Sequence, residues 1–150
     1  MGGNMKKSAL DQYKKVKNES DVAFASPHRL IQMLFNGALE KISVARGSME
    51  RGEIAKKGEN IGWAISIIEG LRTSLDREAG GEVANSLDSL YTYMEERLVL
   101  ANVDNNVEML DEVSKLLKTV KSAWDEIGGQ AQEAVQQPML SDPILNTTVR

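Results

Sequence analysis

Proline occurs three times in this 150-residue chain, at positions 27, 138 and 143, so 28–137 runs without the strongest helix breaker. Leu, Ala, Glu, Lys, Met and Gln dominate that interval, and these are the good helix formers. Nothing in it alternates apolar and polar residues like a strand over a useful length. The interval therefore predicts an all-α chain. What remains to be read is where the helical run is cut and which faces are apolar.

The cuts define five segments. The first, 8–16 (SALDQYKKV), spaces Leu10, Tyr13 and Val16 three apart and is too short to stand alone, so it needs a surface to dock on. The second starts at Ser26, a good N-cap, followed by Pro27 at the first helical position, and runs to about Met49. The third spans about 54–77 with the stripe Ile54, Ile61, Ala64, Ile65, Ile68, Leu71 and Leu75, and Ala79-Gly80-Gly81 is expected to end it. That places Asp76 and Glu78 near a helix C-terminus, where the dipole disfavours them, and Glu82 at the next N-terminus, where it is favoured. The fourth spans about 82–101 with Val83, Leu87, Leu90, Tyr91, Met94, Leu98 and Ala101 on one side. The fifth spans about 106–127 with Leu110, Val113, Leu117, Val120 and Trp124; Asn105 and Glu108 resemble a capping box, and Gly128-Gly129 is expected to stop it.

Four helices of about 20–24 residues, each about 30–36 Å long and joined by short turns, favour antiparallel neighbours. The expected fold is an antiparallel up-down four-helix bundle over 21–129, with 1–20 as a segment or lid packed outside. Residues 130–150, rich in Gln, Ala and Pro with weak periodicity, are expected to be a disordered tail.

Composition and motifs exclude most chemistry. The absence of cysteine removes disulfides, thiolate metal sites and cysteine nucleophiles. A net charge of −4 from 18 basic and 22 acidic residues, well mixed, offers no footprint for nucleic acid. MGGNMKK lacks the apolar core of a signal peptide, and no run of about 18 apolar residues follows. The expectation is a cytoplasmic protein without membrane insertion. The myristoylation pattern is not met, because Lys6 and Lys7 precede Ser8. The single histidine, His28, sits at a helix start and reads as a solvated or capping residue. Gly80-Gly81 follows no strand, and neither HExxH nor a nucleophile elbow occurs. No catalytic residue, metal site or cofactor is expected, and the chain does not read as an enzyme.

The positive signal is a surplus of apolar residues. In the second helix, ASPHRLIQMLFNGAL and its continuation, an arc of about 140° through Leu30, Ile31, Leu34, Phe35, Ala38, Ile42, Ala45 and Met49 suffices for a bundle core. Met33, Gly37, Val44 and Leu39 lie outside it. The third helix carries a second line, Trp63, Ile67, Gly70 and Ser74; Tyr93 and Leu100 lie about 100° off the stripe of the fourth; Met109 and Leu116 widen the fifth. Imperfect packing and the N-terminal segment account for some of this. Several such flanks together mark a surface for a partner. Gly37 and Gly70, in helix interiors where glycine costs nearly 1 kcal/mol against alanine, want a reason: close packing within the bundle, or a groove for a partner helix.

The same stretches resemble the flagellin-specific secretion chaperone family, FliS. The resemblance covers about 9–127 and rests on AL..YKKV, ASPHRLIQMLFNGAL, II..L...LD.E.GGE, SLDSLYTYM and EV..LL..V..AW..I taken together. It implies a four-helix antiparallel bundle that binds the C-terminal region of flagellin, disordered before assembly, blocks its premature polymerisation and helps deliver it to the membrane export gate. It also implies an N-terminal segment, with a tyrosine matching Tyr13, that covers part of the binding surface and moves when flagellin binds. The expected contact or lid positions are Leu10, Tyr13, Phe35, Leu39, Trp63, Ile67, Tyr93 and Leu100, of which Tyr13 rests on the family motif. The alternative is a structural bundle that self-associates through the same flanks, as a homodimer without client, or another helix-binding adaptor.

Overall fold

A computed structural model describes residues 25–135; the expected N-terminal segment, with Leu10 and Tyr13, lies outside the described residues, as do 136–150. The described residues form four helices: α1, Pro27–Glu50; α2, Ile54–Thr73; α3, Arg77–Asp104; and α4, Val107–Val135. Among the described residues there is no strand.

Local chemistry sets each boundary. Ser26 caps α1, its hydroxyl accepting from the Arg29 amide at 3.1 Å, with Pro27 next. Gly52 takes a positive φ of 74° in the turn to α2. α2 stops at Thr73, earlier than expected, because Asp76 starts the next helix: its Oδ1 accepts from the amides of Glu78 and Ala79, each at 3.1 Å. Asp76 and Glu78 thus sit at a helix N-terminus, where their charge is favoured, which corrects the expectation that they close α2. The expected capping box of Asn105 and Glu108 does not form, and a simple N-cap one residue later takes its place. Asn106 accepts from the Met109 amide at 3.0 Å, and Asn105 instead adopts the left-handed conformation (φ 54°, ψ 47°) that ends α3. Asparagine tolerates that region better than other side chains.

The two glycine pairs are kinks and not ends. Gly81 (φ 54°, ψ −128°) bends α3 after its first turn, and Gly128 (φ 51°, ψ −132°) bends α4. Helical backbone resumes after each, so 130–135, expected in the tail, continue α4.

The helices close a ring in which α1 packs on α2 and α4, and α3 packs on α2 and α4. Side-chain pairs fix the antiparallel sense. The start of α1 meets the end of α4 through His28 and Trp124, and its end meets the start of α4 through Arg46 and Asp111. Lys57 at the start of α2 reaches Asn102 and Asn105 at the end of α3, while Arg72 near the end of α2 reaches Asp88. The core is made of the expected stripes except at their ends, where Ile54 and Val83 are exposed: Ile42, Ile61, Ile68, Leu71, Met94, Leu98, Leu110, Val113 and Leu117 are almost fully buried. Each such side chain contributes about 1.5–3 kcal/mol by leaving water.

Candidate functional site

The apolar surplus separates into residues the bundle uses and residues it leaves over. Phe35 and Ile67, expected as partner contacts, are each 1 % exposed and belong to the core. This corrects both: neither side chain is presented to a partner. Met33 and Gly37 are buried as well, so α1 hides an arc of about 200° where about 140° was expected.

Leu39 and Trp63 are half-buried on two different seams. Leu39 lies beside Ile42 in an open groove of about 450 Å³ between α1 and α4. Arg46 and Asp111 bridge that groove through a two-pronged ion pair, Nε to Oδ1 at 2.7 Å and Nη2 to Oδ2 at 3.1 Å. The hydrogen bond from Arg46 holds the Asp111 carboxyl below the usual carboxylate range. Lys115 and Lys118 add positive charge to the α4 wall. Trp63 lines a groove of about 480 Å³ between α1 and α2, with the Lys41 ammonium 5.5 Å from its ring centroid, a cation–π arrangement. The outer wall of α2 here is thin. A Cβ built on Gly62 or Gly70 meets nothing within 4 Å, so the bundle's own packing requires neither glycine.

The largest unused apolar surface is on α3. Tyr93 (39 %), Val99 (50 %), Leu100 (43 %) and Val103 (74 %) stand exposed along the outward face of its C-terminal half. The Tyr93 hydroxyl donates to Glu112 at 2.5 Å, and Arg97 reaches the same carboxylate at 2.9 Å, so the α4 side of this face is held by a small polar network. That hydrogen bond pushes the Tyr93 phenol up. Ile54 is exposed at the same end of the bundle, because Lys57, one turn further along α2, reaches Asn102 and Asn105. Tyr93 and Leu100 were expected here; Val99 and Val103 were not. The signal for them was available: two β-branched residues four apart, about 100° or more from the core stripe, with no propensity reason to be there.

The expected positions therefore do not converge on one pocket. Leu39, Trp63 and the pair Tyr93 and Leu100 lie on three separate faces of the bundle. Nor do reactive groups converge: among the described residues no three His, Asp or Glu side chains cluster as a metal site. His28 is neither solvated nor a cap. Its ring stacks on Trp124 (centroids 4.8 Å apart, planes 13° apart), its Nε2 lies 2.9 Å from the Trp124 carbonyl, and Trp124 Nε1 donates to the His28 carbonyl at 3.1 Å. It is a clasp between two helix ends. No helix among the described residues is long and apolar enough to cross a membrane.

The family model described as "Flagellar protein FliS" matches residues 9–131. The chain belongs to the FliS family. It is 56 % identical over 119 residues to the flagellar secretion chaperone FliSB of Pseudomonas aeruginosa, an alignment covering 79 % of this chain and 94 % of the relative. It is 44 % identical over 125 residues to the flagellar secretion chaperone FliS of Salmonella typhimurium, covering 83 % and 93 %. The Vibrio cholerae chaperone of the same name is 42 % identical over 121 residues, covering 81 % and 89 %. The FliS match reaches into all four helices, so the bundle is that of a flagellar secretion chaperone family, which is not a family of enzymes.

Proposed function

We propose that this FliS-family chain binds the C-terminal region of flagellin in the cytoplasm, keeps it from polymerising prematurely and hands it to the flagellar export gate. The exposed row Tyr93, Val99, Leu100 and Val103 on α3 carries the reading, because a self-sufficient bundle has no use for it. The distribution of the other surfaces supports the same reading. A disordered segment that folds on binding must offset about 1–2 kcal/mol of ordering entropy per residue. One small pocket cannot supply that over some tens of residues, whereas about 1,000–3,000 Å² of surface spread over several faces can. The α1–α2 groove with Trp63, the α1–α4 groove with Leu39 and the α3 face together offer such a path. The thin wall at Gly62 and Gly70 would admit a helical stretch of the client close to α2. In this reading 1–20, with Leu10 and Tyr13, covers part of the path until client arrives.

Titration of the full chain with a flagellin C-terminal peptide tests the proposal by calorimetry and far-ultraviolet circular dichroism. Expected are a stoichiometric complex, a gain in helicity and a negative heat-capacity change. A tight homodimer that ignores the peptide would overturn it in favour of self-association. Removal of 1–17 should raise binding of a hydrophobic dye; unchanged dye binding would remove the lid from the proposal.

A further inference from the structure

Arg72 of α2 is ringed by carboxylates. Its Nη1 reaches Glu69 on its own helix at 2.9 Å and Glu95 of α3 at 3.4 Å, and its Nε reaches Asp88 of α3 at 3.1 Å. Arg77 also binds Asp88, at 2.5 Å. Among the described contacts, Asp88 receives both arginines, while Glu69 and Glu95 meet at one nitrogen of Arg72. Glu95 is largely buried, and its Oε2 is sealed from solvent without a hydrogen-bond partner. A buried, ionised, unpaired oxygen is costly. Glu69 and Glu95 approach the same Arg72 nitrogen, at 2.9 and 3.4 Å, which sets their two carboxyl groups side by side. Two carboxylates that close cannot both remain ionised without mutual repulsion, and a single proton between them removes both the repulsion and the orphaned oxygen.

We propose that Glu69 and Glu95 share one proton across the α2–α3 seam, which makes that seam a pH-sensitive joint. Burial pushes the Glu95 carboxyl up to about 7, the hydrogen bond and charge of Glu69 push the same way, and Arg72 opposes them. The charges bearing on the pair come from α2 (Glu69, Arg72) and from α3 itself, where Asp88 and Arg77 engage Arg72. Arg97, the other nearby cation on α3, is turned to the opposite flank and held by Glu112 of α4. Because the folded state takes up the proton more readily than the unfolded chain, the joint contributes its full stability below the ordinary carboxylate range. That contribution is lost as pH rises through about 7. Val99 lies one turn beyond Glu95 on the same helix, so a loosened seam acts on the face that carries the exposed apolar row.

Infrared titration of the full chain, reading the carbonyl stretch of protonated carboxyl groups, tests this with Glu95→Gln as the reference. The wild-type band that Glu95→Gln deletes should persist to near neutrality. Glu69→Gln should move its midpoint down toward the ordinary glutamate range, and Arg72→Gln should move it up; a merely structural role predicts no such opposed pair of shifts. The melting temperature of the wild type relative to Glu95→Gln should fall as pH rises from about 4.5 to about 7 and level off above that. A band already lost near pH 4.5, or parallel melting curves for wild type and Glu95→Gln, would overturn the proposal. Should Glu95→Gln fail to fold, an unmoved midpoint in Glu69→Gln would overturn it equally.

Discussion

α1 and the C-terminal half of α3 both carry more apolar residues than a single core-facing stripe needs, and the bundle treats them in opposite ways. On α1 the excess is largely taken in: Met33 and Gly37 are buried and Val44 and Leu39 are half-buried. On α3 it stays outside, at Tyr93, Val99, Leu100 and Val103. An apolar surplus is thus not in itself a free surface. What decides is how wide an arc the neighbours cover, and α1, the most closely packed helix of the ring, is covered over about 200°.

The sharpest test of that contrast is truncation of Phe35, which was expected both in the core arc and as a contact position and is fully buried. Phe35→Ala should destabilise the bundle by about 3–5 kcal/mol in denaturant unfolding, as loss of a large buried side chain does. A loss below about 1 kcal/mol would return Phe35 to the surface and erase the difference between the helices. The α3 face should behave the other way round. Leu100→Lys with Val103→Lys should leave stability within about 0.5 kcal/mol per site, as for exposed substitutions. The pair should weaken flagellin-peptide binding by roughly tenfold or more, as expected where contact residues are lost. Unchanged affinity would move the client off this face.

A third test concerns the glycines. Gly70→Ala should raise stability by about 0.5–1 kcal/mol, since a helical position with open space around its Cβ gains from alanine. If client helix packs there, the same substitution weakens binding; if binding is unaffected, the thin wall of α2 is not part of the path. The smallest effect is on the acid side. Asp88 and Asp111 are held below the usual range by hydrogen bonds from Arg72 and Arg46 respectively. Their contribution is present above the ordinary aspartate range and fades as pH falls through their lowered values. The Arg46–Asp111 pair is exposed and the Arg72–Asp88 pair partly so, so an acid unfolding curve should show only a shallow slope from them, and added salt should flatten it further.

Four helices and their core stripes were legible because spacing and propensity agree along the whole proline-free interval. Element ends were less so. Gly80-Gly81 and Gly128-Gly129 read as stops, since a sequence records that a glycine is permitted a positive φ but not whether helix resumes after it. Asp76 read as a misplaced acid because Leu75 before it continues the α2 stripe; only the two amides it accepts from reveal a new N-terminus. Of the expected contact residues, Leu39, Trp63, Tyr93 and Leu100 keep exposed or half-exposed side chains, and Phe35 and Ile67 do not. Wheels assign direction within one helix. They carry no information on how closely the next helix approaches, and at Phe35 and Ile67 that approach decided the outcome.

The clasp between His28 and Trp124 has a geometric corollary for the two helices it joins. Because it ties the first turn of α1 to α4 just before the Gly128 bend, Ala25 and Gly128 lie at the same pole of the bundle. A substitution that opens the clasp therefore loosens two helix ends at once, and neither end can be probed there without disturbing the other.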